Sequence, residues 1–165
     1  MILNHLLIHS FLYAIVVNGY LFLMMVTLSP RVWGYSDYSQ EIKDKVPPQT
    51  AKEKRHAILV SIPLLIFTLG FPIYSTLVLK GKLLNEIPVD IAFLNLSALF
   101  MSLTIVDLLI LDWLIVSKIT PKFVIIPGTT KEDYQDFSHH YKAQVKATFI
   151  IIPILFVIAL IISYV

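Results

Sequence analysis

Apolar residues in this chain gather into four runs, each about 20 residues or longer, the length a helix needs to cross the hydrocarbon core of a bilayer. The runs predict membrane helices over about residues 6–28, 57–79, 91–116 and 146–164. A polar stretch from Pro30 to His56 separates the first two, and another, from Lys118 to Gln144, separates the last two. The link from Lys80 to Pro88 is short, so the second and third helices should be antiparallel neighbours. The pattern predicts an all-α fold: a bundle of four transmembrane helices, forming a single transmembrane domain over residues 1–165.

Helix breakers and caps sharpen the boundaries. Pro30 ends the first run, because the residue before a proline is pushed out of helical geometry. Thr50 with Glu53 forms the Thr-x-x-Glu pattern of a reciprocal N-terminal cap. Pro63 and Pro72 lie inside the second run and predict a kink; membrane helices tolerate prolines where neighbours re-satisfy the freed carbonyls. The third run, Val89 to Ser117, would be about 43 Å long as a helix, so it tilts or protrudes. Pro121 and the Pro127-Gly128 turn signal bound a short apolar run, Lys122 to Ile126, without helical period. It reads as strand-like or as a piece lying along the interface. Thr129 with Glu132 resembles a second cap. From there Tyr134, Phe137, Tyr141, Val145 and Thr148 continue a helical pattern, predicting one helix from about Lys131 to Tyr164 that extends into the cytoplasm.

Composition removes several classes. Hydrophobic residues make up 57% of the chain and charged residues 15%, against about half and a quarter in soluble domains. The net charge of +2 and the lack of a basic, aromatic-interleaved stripe exclude a nucleic-acid partner. With no cysteine there is no thiol nucleophile, disulfide or Cys-ligated metal. The opening Met-Ile-Leu-Asn-His lacks the basic region of a secretory leader, so the first run reads as a retained helix. Eleven of the 13 Lys and Arg residues fall in or beside the two long loops. The positive-inside rule then predicts a multi-pass cell-membrane protein with cytoplasmic large loops and both termini outside.

The candidate chemistry centres on Asp107 and Asp112 in the third run. Ionisable residues inside membrane helices are costly and mark functional sites by default. Five residues apart on an α-helix is about 140°, which puts them on different faces and argues against a carboxylate pair. On the same predicted side lie Arg31, Tyr38, His56, His139 and His140, candidate partners in ion or ligand binding. His5 and His9, four apart near the first helix start, share a face and have metal-ligand spacing, though the simpler reading is two interfacial imidazoles. The cofactor is left unknown: the His-rich boxes of membrane di-iron hydroxylases, the His-Glu-x-x-His motif, the P-loop and the nucleophile elbow are all absent.

The segment Asp107-Leu-Leu-Ile-Leu-Asp112-Trp113, then Pro121 to Thr129, Tyr134 and His139-His140, resembles a group of small uncharacterised prokaryotic four-helix integral membrane proteins. Pro30-Arg31-x-Trp33, Tyr38 and Glu41-Ile42 carry the same resemblance. It implies a polytopic membrane protein and no particular activity. Three functions remain in view. One is a binding or transport-type protein with a polar ion, proton or ligand site at the cytoplasmic face. Another is a small membrane enzyme acting on a lipid or isoprenoid there, with a His as base, Asp112 orienting it and Arg31 or a Lys holding phosphate. The third is a structural subunit in which Asp107 pairs with a Lys or Arg across helices. The bilayer is the expected partner, joined for transport by further copies of the chain or another membrane subunit.

Overall fold

The computed structural model describes all 165 residues, and it is helical without strands. Helix α1 spans Ile2–Thr27, α2 Pro30–Trp33, α3 Gln40–Asp44, α4 Ala51–Lys82, α5 Val89–Val106 and α6 Ser138–Tyr164. Helix α5 runs on as a π-helix over Asp107–Ile119, and a single 3-10 turn covers Lys131–Tyr134. Four helical stretches are long and apolar enough to cross a membrane, which by length and composition makes this a multi-pass membrane protein. The long helices bury few of their own residues and leave many large apolar side chains exposed. That is the expected pattern where lipid rather than water is the solvent.

Helix α5 is the hub. It packs most extensively on α1 and α6, and also on α4. At one end of the bundle, Leu79, Ile87, Leu96, Leu155 and Ala159 form its apolar interior. Midway, Tyr13, Val17 and Leu99 fill the space between α1 and α5. Polar contacts tie the helices where lipid offers no alternative partner. Asn95 donates to Ser75 Oγ (3.2 Å) and Thr76 Oγ1 (2.9 Å), and Asn18 donates to the Leu103 carbonyl at 3.4 Å. Helix α4 is continuous through Pro63 and Pro72. Pro72 has no N–H for the carbonyl of Thr68, four residues before it. The Tyr13 hydroxyl of α1 supplies the missing donor at 2.8 Å.

The two long connections fold over each other at the other end. They form a small cap with its own apolar centre, built from Tyr38, Ile42, Val46, Val124, Ile126 and Tyr134 against Met25, Leu111 and Val116. The unperiodic apolar run is thus an inward-facing series of turns: Val124 and Ile126 are fully buried. Tyr134 accepts the Ile126 N–H through its hydroxyl at 2.9 Å. Tyr38 donates to the Val124 carbonyl at 3.0 Å and meets the rings of Trp33 and Tyr134 edge-on. Gly34 sits so close that a Cβ there would lie 2.9 Å from the Tyr38 ring.

Helix α4 starts at Ala51, where the Thr50–Glu53 cap forms as expected and carries helix through the charged first turns ahead of the apolar run. Two other features differ from the sequence expectation. The fourth helix is not continuous from Lys131; the chain breaks after Tyr134, and α6 begins at Ser138. There the burial of Tyr134 in the cap outweighs the helical period. The reach-back contact is one residue later than Thr129–Glu132: the Thr130 N–H donates to the Asp133 carboxylate at 2.9 Å. Asp133 also pairs with Lys45, which ties the two connections together.

Candidate functional site

The π-helix decides the site. Its hydrogen bonds run from residue i+5 back to residue i. The Thr120 N–H donates to the Ile115 carbonyl (2.8 Å), and Ser117 Oγ donates to the Asp112 carbonyl (2.9 Å), both at that spacing. The wider turn brings residues five apart onto one face. Asp107 and Asp112, which an α-helix would separate, therefore line the same cavity. This overturns the expectation of different faces and different surroundings. The π-helix is rare, appears mostly as single-turn bulges inside α-helices, and is frequent at functional sites.

The cavity has a volume of about 440 Å³ and lies at the cap end of the bundle. Its floor is the π-helix. One wall is α1, with Leu21, Met24 and Met25; the other is α6, with His140, Ala143, Gln144 and Ala147; Trp33, Ser36 and Asp37 of the cap close the rim. Three carboxylates line it, and no Lys or Arg does. His140 Nδ1 lies 3.2 Å from Asp112 Oδ1. His139, its ring edge-on to His140, donates from Nε2 to the Asp37 carbonyl at 3.0 Å. Asp107 has neither a hydrogen bond nor an ion pair through its side chain. The structure thus shows no cross-helix Lys or Arg partner for it, the feature a purely structural role required.

The sequence candidates divide. Asp107, Asp112, His139 and His140 come together. Arg31 lies outside: its Nε donates to Glu53 at 2.6 Å, and its other nitrogens hold the Pro47 and Pro48 carbonyls at 3.1 and 2.9 Å. It clamps the first connection onto α4 and is not free to hold a phosphate in the cavity. Tyr38 is buried in the cap; burial and the neighbouring Tyr134 push its phenol above the usual range, so it stays a donor. His56 is exposed on the first turns of α4, away from the cavity.

His5 and His9 stack with ring centroids 3.8 Å apart at the opposite end. His5 Nε2 lies 3.0 Å from the Ser75 carbonyl, and its Nδ1 lies 3.3 Å from Lys82 Nζ. Both of its ring nitrogens are therefore engaged. No three His, Asp or Glu side chains converge anywhere closely enough to hold a metal ion.

The cavity also takes in Asp37, which the sequence does not single out as a candidate. It reads as a helix-cap residue in a loop, and only the folding of the cap carries it to the rim. There its side chain stays exposed at the surface, while desolvation by the surrounding cap and the nearby charge of Asp112 push its carboxyl above the ordinary value.

No protein-family model, curated protein or solved structure matches the chain.

Proposed function

We propose that the cavity is the cation-binding site of a binding or transport-type membrane protein, open at the cytoplasmic face. The observation that carries this reading is Asp107. It is a carboxylate without a partner, in a cavity shared with two further carboxylates and no basic side chain but His139 and His140. Placing a carboxylate in low dielectric without a counter-charge is unfavourable, and either a proton or a bound cation relieves it. The weight of Lys and Arg in the two long connections supports a cytoplasmic position for the cap and the cavity mouth. Four helices make a thin wall around a pathway, so transport would call on a second copy of the chain or another membrane subunit.

The direct test is Asp107→Asn in lipid nanodiscs and proteoliposomes, with protons, monovalent and divalent metal ions and ethylammonium as probes. Binding or flux of the preferred cation is expected to fall about tenfold or more, equivalent to about 1.4 kcal/mol of lost interaction. Unchanged binding, transport and stability would sink the proposal.

An enzyme on a lipid substrate is the second reading. The His140–Asp112 contact favours it, since a carboxylate beside one ring nitrogen orients an imidazole for general-base work. Its phosphate holder is missing, because Arg31 is bound to Glu53 and no Lys lines the cavity. Mass spectrometry of co-purified lipid separates the two readings: a phospholipid or prenyl phosphate retained through His140 would favour the enzyme.

A further inference from the structure

The cation reading leaves open which cation, and the walls of the cavity bear on that. A dehydrated metal ion needs several oxygen or nitrogen ligands drawn together around it. Here no three such side chains converge. The carboxylates are instead spread around a space of about 440 Å³, within the size range of organic-ligand pockets. More than half of its lining is apolar and includes Met24, Met25 and the Trp33 ring. Methionine adapts to varied apolar shapes, and a Trp face attracts organic cations. Trp33 Nε1 is buried and has no hydrogen-bond acceptor, an uncommon state for a buried indole.

An apolar groove of about 240 Å³ runs along the outer surface between α5 and α6, lined by Ile105, Leu108, Val145, Thr148 and Phe149. Gln144 lines both the groove and the cavity. Phe149 at the groove is 78% exposed, on a helix long and apolar enough to lie in lipid. The acidic space and the lipid-facing groove thus lie on either side of Gln144.

We propose that the occupant is an amphiphilic organic cation drawn from the bilayer, with its ammonium head among Asp107, Asp112 and Asp37 and its alkyl chain passing Gln144 into the α5–α6 groove. This rests on the cation reading above and narrows its ligand class. A phosphate-bearing head is disfavoured by the same three carboxylates. The chain gains no hydrophobic energy by leaving lipid for the groove, because lipid tails are equally apolar. Selectivity comes from charge at the head and from fit along the chain.

The test uses the full-length protein in nanodiscs carrying Trp113→Phe, a residue outside the cavity lining, so that Trp33 is the sole indole reporter. Its fluorescence is followed against dodecylammonium, dodecanol and dodecyl sulfate, each as a mole fraction of lipid, and against ethylammonium and Mn²⁺ in water. Dodecylammonium is expected to give a saturable change that dodecanol and dodecyl sulfate do not. Asp107→Asn and Asp112→Asn should each weaken it about tenfold. Thr148→Phe, which fills the groove, should weaken dodecylammonium and leave ethylammonium unaffected. Two results overturn the inference while sparing the cation reading. One is Asp107-dependent binding of Mn²⁺ or ethylammonium with no competition from dodecylammonium. The other is Asp107-dependent dodecylammonium binding that Thr148→Phe does not touch. If dodecanol saturates the signal as well as the amine does, the amphiphile proposal falls. If no cation binds in an Asp107-dependent way, both readings fall together.

Discussion

Tyr13→Ala is expected to destabilise the membrane bundle by about 3–5 kcal/mol, the range for truncating a well-packed aromatic side chain. Tyr13 is 2% exposed and lies at the centre of the α1–α4–α5 contact. Its ring stacks on Phe71 with centroids 5.4 Å apart and planes 4° from parallel. Its hydroxyl serves the Thr68 carbonyl that Pro72 leaves without an N–H. Alanine removes the packing and orphans that carbonyl in a region without water. Tyr13→Phe isolates the second loss and should cost about 1 kcal/mol or less, since hydrogen bonds between membrane helices average about 0.6 kcal/mol. Reversible unfolding from nanodiscs or mixed micelles, followed by far-UV circular dichroism, measures both. Equal losses in the two variants would show that the hydroxyl, not the ring, carries the contact. A bundle indifferent to Tyr13→Ala would mean that α1 is not held through this residue.

The same residues show what the sequence could and could not disclose. The helices were legible because a bilayer sets a length and demands apolar side chains on every lipid-facing position, so four long apolar runs suffice. The Thr50–Glu53 cap was legible because its chemistry is local. The cap domain was not. Its apolar residues, Tyr38, Ile42 and Val46 in one connection and Val124, Ile126 and Tyr134 in the other, lie some 80 residues apart in sequence and follow no period. Only their mutual burial relates them. The site fell between these cases. The acids were conspicuous, but their geometry depended on a choice of helix that side-chain type does not encode. A five-residue spacing means two faces on an α-helix and one on a π-helix. Asp37 and Trp33 joined the site only through the cap. Arg31 and Tyr38, chosen as site residues for their chemistry, turned out to build the frame around it: Arg31 by clamping Pro47, Pro48 and Glu53, Tyr38 by filling the cap.

That division between frame and site can be tested at Tyr38, the residue with most at stake in the cap. Tyr38 is 2% exposed, touches Trp33 and Tyr134 edge-on and donates to the Val124 carbonyl. Tyr38→Ala should destabilise the cap by about 3–5 kcal/mol, because removing the ring leaves a large void and the edge-on aromatics around it cannot all collapse into it. Aromatic pairs add about 0.5–1.5 kcal/mol each beyond their buried area. Tyr38→Phe keeps the rings and removes one hydrogen bond, worth about 1 kcal/mol. The two variants also separate roles. If Tyr38 acts only as frame, Tyr38→Phe leaves cation binding unchanged. Tyr38→Ala weakens binding by releasing neighbouring Asp37 and the Trp33 wall, while α1, α4, α5 and α6 stay folded. Hydrogen exchange should then rise in residues 30–50 and 120–137 and not in the four long helices, since local units open independently when their own contacts are lost. Loss of binding in Tyr38→Phe with an intact exchange pattern would instead put the phenol in contact with the ligand and return Tyr38 to the site.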